Sequence, residues 1–262
     1  MKMANDAQLA RLLTVSTPPS RCKACGRQAL LPAGAVDFNR VAMSPPPFPE
    51  AGIAVDLWQC ADCGFAWAPA FDTWSDADFA RHIYNAGIAL TELPEFSAQR
   101  SINTAAMLRA WFAGYPPQTR FLDYGCGPGM LVEALPQSGF QACGYDRFHP
   151  EFSAPPAGRF DIITCFEVFE HLSDIASVVD ELAGLLAEDG ILVIGTYLAA
   201  RPLDLDWWYL SPRSGHICFW TFPALSAVFN PRRLNVAGDG KLFSFVFPDA
   251  AKQRVMRIFG RT

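Results

Sequence analysis

Two constellations in this chain carry chemistry. The first is Phe121-Leu-Asp-Tyr-Gly-Cys-Gly-Pro-Gly129, followed by Gly144-Tyr-Asp146. An apolar run ends in an acid, Asp123, beside Tyr124, turns through Gly125, Gly127 and Gly129, and enters a helical stretch at Met130–Leu135. A second short apolar run closes on Asp146. In an open α/β sheet such turns lie at the carboxyl ends of the strands, where nucleotide-like ligands bind. A dinucleotide loop reads G-x-G-x-x-G and offers backbone N–H groups to a pyrophosphate. This loop reads G-x-G-x-G, Pro128 lacks an N–H, and Asp123 would repel phosphate. An acid there suits an ammonium group, and Asp146 suits a pair of ribose hydroxyls. The second constellation is Cys22-Lys-Ala-Cys25 with Cys60-Ala-Asp-Cys63, each pair followed by a glycine that permits a left-handed turn. Four thiolates in two such turns make a closed, tetrahedral zinc site that is structural and leaves no position for catalysis. Cys126, Cys143, Cys165 and Cys218 are then expected to be free thiols.

A third segment, Asp206-Trp-Trp-Tyr-Leu-Ser-Pro-Arg-Ser-Gly-His-Ile-Cys-Phe-Trp-Thr221, is too rich in aromatic and basic groups for an ordinary connection. It follows a strand, so it is expected over the ligand pocket. Trp207 and Trp208 would wall the acceptor, Arg213 would bind it, and Tyr209 and His216 are candidate catalytic groups. His171 competes with His216 as the base, and a reaction without a dedicated base stays open. The rival reading is a packed lid in which the histidine only holds a loop.

These groups need a scaffold, and the pattern supplies one. Residues 96–112 read as an amphipathic helix, Phe121–Tyr124 and Gln141–Tyr145 as the first two strands, and Asp161–Phe166 as a further strand. Asp174–Ala187 reads as a helix with Val178, Leu182, Leu185 and Leu186 on its apolar stripe, stopped by Asp189-Gly190 before a strand at Ile191–Gly195. Phe222–Phe229 reads as a helix capped by Thr221, and Leu234–Ala237 with Leu242–Phe247 as a terminal hairpin. Only fourteen residues, three of them proline, separate Asp146 from Asp161. A parallel crossover needs a dozen or more residues before any strand is counted, so the third strand is missing or vestigial. Phe148 either stacks on a purine in its place or plugs the exposed sheet edge.

The glycine loop, Gly144-Tyr-Asp146, Phe160-Asp-Ile-Ile with Glu167-Val-Phe-Glu-His171, and Gly190-Ile-Leu-Val-Ile-Gly-Thr196 together resemble the class I S-adenosylmethionine-dependent methyltransferases over about residues 100–247. The resemblance implies a Rossmann-like α/β sheet and a methyl-transfer reaction. It implies cofactor contacts from Asp123, Tyr124, Gly125, Gly127, Gly129, Asp146, Phe166 and Glu167, with Glu170 in structural hydrogen bonding; Phe148 joins the cofactor contacts where it stacks on the purine in place of the family's third-strand wall. Cys60-Ala-Asp-Cys-Gly-Phe-Ala-Trp67 with Tyr84 resembles a bacterial subgroup in which a zinc ribbon precedes the methyltransferase domain and whose members include sugar C-methyltransferases. The W-W-Y…P-R-x-G-H stretch is similar to a group related to glycan-cluster methyltransferases. The expected acceptor is therefore a small molecule, a sugar, nucleotide-sugar or glycan-linked group. The alternatives are RNA, engaged through the zinc module, and a cofactor-binding protein without turnover.

Composition narrows the partners. A net charge of −5 and no lysine- or arginine-rich run argue against DNA and weigh against RNA, whose binding depends on phosphate neutralisation. No apolar run reaches the roughly 20 residues of a bilayer span, and residues 1–20 do not read as a signal peptide. Eight cysteines without secretion signals point to metal or free thiols and to a cytoplasmic enzyme. The expected division is a zinc-ribbon segment at 1–90 and a methyltransferase domain at 91–262. Phe65, Trp67, Phe71, Trp74, Phe79 and Tyr84 are expected either to pack between the two or to shape an acceptor pocket.

Overall fold

A computed structural model describes residues 2–14, 17–91, 94–136 and 140–260. Its strands are β1 (Leu30–Asp37), β2 (Ala54–Cys60), β3 (Ala66–Trp67), β4 (Arg120–Tyr124), β5 (Gln141–Tyr145), β6 (Phe160–Phe166), β7 (Leu186–Gly195), β8 (Cys218–Phe219), β9 (Asn235–Gly238) and β10 (Phe243–Phe247). Its α-helices are α1 (Lys2–Leu12), α2 (Asp76–His82), α3 (Pro94–Trp111), α4 (Met130–Ala134), α5 (Ile175–Leu185), α6 (Phe222–Phe229) and α7 (Lys252–Phe259). No helix among the described residues is long and apolar enough to cross a membrane.

The chain forms two compact units, and they do not follow a single cut near residue 90. One comprises Met1–Leu93, Glu170–Ile175 and Tyr197–Ala227; the other comprises Pro94–Phe169, Ala176–Thr196 and Val228–Thr262. The segment expected to belong to the methyltransferase domain, Tyr197–Ala227, thus folds with the cysteine pairs.

The second unit is a six-stranded sheet in the order β5-β4-β6-β7-β10-β9. Strands β5, β4, β6 and β7 are parallel, and β10 runs antiparallel to both β7 and β9. Among the described residues no strand lies beyond β5, and the interval from Asp146 to Asp161 holds none, in keeping with its short length and its prolines. Phe121, Ile162, Ile191, Val193, Phe245 and Phe247 point to one face and form a core with Leu108 and Phe112 of α3, Leu131 of α4, and Val255 and Ile258 of α7. The alternate positions Leu122, Ile163, Cys165, Leu192 and Ile194 are buried on the opposite face. Tyr124, also on that face, donates its hydroxyl to Glu181 Oε2 of α5 at 2.7 Å.

The boundary between α5 and β7 departs from the sequence reading. Asp189-Gly190 does not stop a helix; it lies inside a strand that begins at Leu186. The register of β6 against β7 shifts between Phe160 and Ile162, and a side chain on Gly190 would come within 2.8 Å of the Phe160 carbonyl oxygen. The glycine is there for close backbone approach in a bulge. On α5 the buried residues are Ile175, Val179 and Leu182, while Val178 and Leu185 are only half-buried. The other boundaries agree within a residue or two, and the Thr221 hydroxyl caps α6 by accepting from Ala224 N at 3.2 Å.

The first unit is built on an antiparallel sheet, β1-β2-β3-β8. The aromatics after the second cysteine pair are its core: Phe65, Trp67, Phe71, Trp74 and Phe79 are all buried. Phe65 stacks on Trp67, and Trp74 lies between Phe71 and Phe79. These contacts are internal to the unit and form its core.

The turn from β4 to α4 depends on Gly125. Its φ is +80°, and a β-carbon there would fall 2.2 Å from Val168 Cγ2. Gly125→Ala should lose about 1–2 kcal/mol from the left-handed backbone alone, plus the clash. In a chain of this size that lowers the melting temperature by about 2–4 °C per kcal/mol. Adding Val168→Ala relieves only the clash, so thermal melts should show partial rescue; full rescue would contradict the backbone argument.

Candidate functional site

The glycine loop spans the carboxyl ends of β4 and β5. Gly125 N and Cys126 N both donate to the Tyr145 carbonyl, at 2.7 and 3.1 Å, and Gly129 N donates to Cys126 O at 3.0 Å. Gly127 N donates to Asp146 Oδ2 at 3.0 Å. With Pro128 lacking a donor, every backbone N–H from Gly125 to Gly129 is already engaged within the protein. The loop is therefore no anion nest, which removes the main recognition element of a pyrophosphate site.

Asp146 is held from both sides. Its Oδ1 accepts from Phe148 N at 2.8 Å and His149 N at 3.1 Å. A carboxylate has about four acceptor positions, so these three bonds fix its direction and leave capacity for a ligand hydroxyl. Asp123 is buried, and Thr164 Oγ1 donates to its Oδ1 at 2.8 Å. Burial pushes its carboxyl up to about 6; the Thr164 bond opposes that rise and the nearby charge of Asp146 adds to it. A buried carboxylate beside a second one is an electrostatic deficit that a cation fills.

Several assigned residues take other roles. Tyr124 turns its hydroxyl away to Glu181, so only its backbone lies at the loop. Phe148 is 42% exposed, with the Arg147 guanidinium 5.2 Å from its ring centre. The ring beside the loop is instead Phe152, which the sequence reading missed. Asp146 N bonds Phe152 O at 3.0 Å, bringing Phe152 back so that a methyl group on Gly129 would meet its ring at 2.5 Å. Its only sequence signal was an aromatic two residues after Pro150. Phe166 packs edge-on against Phe243 and close to Gly195. Phe243 also lines a groove of about 380 Å³ with Gln99, Asn103, Thr104 and Met107. Glu167 is left-handed at φ +53°, with its N–H on Gly195 O at 2.8 Å; strained non-glycine backbone of this kind concentrates at ligand sites.

In the first unit the four cysteines converge as their spacing predicts. Cys22 Sγ lies 3.6 Å from Cys63 Sγ, Cys25 Sγ lies 3.6 Å from Cys60 Sγ, and all four fall within 4.8 Å of one another. Sulfurs held about 2.3 Å from a tetrahedral zinc would be about 3.8 Å apart, so the set fits that ion. The two turns are alike. Gly26 N and Gly64 N donate to Cys22 O and Cys60 O, while Cys22 N and Cys60 N donate to Arg27 O and Phe65 O.

The Trp207–His216 segment is built into the same unit. Tyr209 is fully buried, and its hydroxyl donates to Glu170 Oε1 at 2.6 Å. His216 Nδ1 lies 2.9 Å from Tyr209 O, and the His171 and His216 rings meet edge to face with centres 5.1 Å apart. Burial, with the charge of His171, pushes His216 down to about 3 despite its backbone hydrogen bond. Trp207 is half-buried against Phe219 and Tyr209, and Trp208 is exposed beside Tyr197. Arg213 is the clearest correction. It is buried, donates to Ile83 O at 3.0 Å and Asn85 Oδ1 at 2.9 Å, and lies over the Phe48 ring. Its guanidinium ties loops together and does not reach out to an acceptor.

Arg213→Ala should therefore act on stability. Each lost bond to a charged group is worth about 1.5–3 kcal/mol, so denaturant unfolding should show a loss of several kcal/mol. Arg213→Lys should restore little, because an ammonium cannot repeat the fork of donors. A variant of unchanged stability would return Arg213 to ligand binding.

Comparison with known proteins gives the family. A family model described as a methyltransferase domain matches residues 91–236. The ubiquinone biosynthesis O-methyltransferase of Psychrobacter arcticus is 34% identical over 103 residues, 29% of this chain and 40% of that protein. Its counterpart from Bordetella avium is 33% identical over 129 residues, 39% of this chain and 53% of that protein. The chain thus spans about half or less of these curated relatives. Among solved structures, the 1,6-didemethyltoxoflavin-N1-methyltransferase of Burkholderia thailandensis aligns with a TM-score of 0.48 and 15% identity over 72% of this chain and 98% of that one. The family model covers more than half of the residues: the chain belongs to the methyltransferase-domain family.

Proposed function

We propose that this chain transfers a methyl group from S-adenosylmethionine to a small-molecule acceptor, a sugar, nucleotide-sugar or glycan-linked group. The observation that carries the donor assignment is the glycine loop, whose amides are all engaged internally beside two carboxylates. That site disfavours a pyrophosphate and favours a ligand with an ammonium group and ribose hydroxyls. S-adenosylmethionine supplies an already activated methyl on its sulfonium. The protein's part is then to bind, orient and exclude water. Asp123 meets the ammonium, Asp146 takes the ribose hydroxyls, and Phe152 with Phe148 flanks the base where a third strand would otherwise stand. Net charge and the absence of a basic run support a small acceptor over RNA. Calorimetry with S-adenosylmethionine followed by a methyl-release screen over nucleotide sugars tests the reading. Turnover on RNA with none on any small acceptor would overturn the acceptor class.

Proton linkage tests Asp123 separately. Without ligand, the folded state holds this proton more tightly than an ordinary aspartate at 3.8 does. Its contribution to stability therefore falls as the pH rises from about 4 through 6, and the cost persists above that window. A bound ammonium offsets the cost and requires the carboxylate. Affinity for S-adenosylmethionine should fall about tenfold between pH 7 and pH 5. Asp123→Asn should bind more weakly at pH 7 and lose that slope; an unchanged slope would contradict the assignment.

The cysteine cluster is proposed to hold one structural zinc, which ties the two turns that carry the cysteine pairs to each other. Elemental analysis of freshly purified, reduced protein should find about one zinc per chain at this site. Cys60→Ser should lose that zinc and melt the first unit. Metal-free protein with the same melting profile would refute a structural ion.

A further inference from the structure

The first unit brings together a second set of ligating side chains besides the four cysteines. We propose that Glu170, His171 and His216 bind one divalent transition-metal ion through a carboxylate and two imidazoles. One ligand atom from each of the three lies within 4.8 Å of the others. His171 Nε2 and Glu170 Oε1 are 3.9 Å apart. Donors sharing an ion at about 2.0–2.2 Å stand roughly 3–3.5 Å apart. Closing the set thus takes shifts of about an ångström, within reach of side-chain torsions.

The surrounding bonds are those that orient metal ligands. His216 Nδ1 donates to the Tyr209 carbonyl at 2.9 Å. That bond fixes the tautomer and leaves the Nε2 lone pair for an ion. Tyr209 acts twice, because its hydroxyl also holds Glu170 Oε1 at 2.6 Å. The Tyr84 hydroxyl lies 3.4 Å from His171 Nδ1, leaving Nε2 on the carboxylate side. The backbone secures the juxtaposition. Ile217 N donates to Glu170 O at 2.8 Å, joining the two segments that carry the ligands. Gly215, at φ +90°, lets the chain pass so close that a β-carbon there would lie 2.7 Å from His171 Nδ1.

Two imidazoles and one carboxylate suit zinc, iron, cobalt or manganese better than magnesium or calcium. Three protein donors also leave coordination positions open, unlike the closed cysteine set. The ligand class for those positions is oxygen, either water or the hydroxyl of a small molecule, whose pKa the ion would lower.

Cobalt(II) distinguishes the two sites by colour. Titrated into full-length protein carrying one zinc per chain, it should give one equivalent of visible d–d absorption without thiolate charge-transfer intensity. The cobalt-loaded protein should also show two paramagnetically shifted, exchangeable imidazole N–H resonances, a readout that needs no variant. His171→Asn and His216→Gln should each abolish the absorption, and Tyr209→Phe should weaken binding about 10–100-fold. Three results would overturn the site: no absorption at millimolar cobalt, charge-transfer bands alone, or saturable binding without shifted imidazole signals.

Discussion

The proposed donor site hangs on one carboxylate. Asp146 receives Gly127 N on one oxygen and Phe148 N and His149 N on the other, so the glycine loop and the turn after β5 are two ends of one hydrogen-bonded knot. The parallel pairing of β4 with β5, from Arg120↔Gln141 to Tyr124↔Tyr145, sets both chain ends side by side. The Tyr145 carbonyl completes the closure by accepting from Gly125 and Cys126. With the amides internally engaged, the local field is that of two acids, one of them buried. The ligand preference proposed for the site rests on that balance.

Much of this was legible in the sequence because it is local. Alternating glycines permit left-handed turns at close spacing, and fourteen residues containing three prolines are too few for a helix and a strand. The absence of a strand beyond β5 follows from that count. The interval from Leu186 to Gly190 was misread because Asp-Gly is a local stop signal, while the bulge that keeps it in β7 is set by β6, more than twenty residues earlier. Phe152 was missed for a related reason. Its place beside Gly129 depends on a backbone bond to Asp146 that no composition reveals.

The Trp207–Thr221 segment shows where residue type misleads. Its aromatic and basic density suggested an acceptor wall, yet Tyr209 and Arg213 are among the buried residues of the first unit. Arg213 reads as an acceptor ligand by residue type, and in the structure its guanidinium donates to Ile83 O and Asn85 Oδ1. The cysteine pairs were easier to read, since C-x2-C-G turns carry their own geometry. Their sulfurs meet because β2 and β3 form a hairpin across the second turn and β1 returns the first turn alongside.

The central claim is that the loop after β4 is made for an ammonium- and ribose-bearing ligand and not for a pyrophosphate. Calorimetry of the full chain at pH 7 with S-adenosylhomocysteine and, separately, with NAD decides it most directly. One-to-one binding of S-adenosylhomocysteine with no heat from NAD is the predicted result. Saturable binding of NAD, with S-adenosylhomocysteine silent, would contradict it.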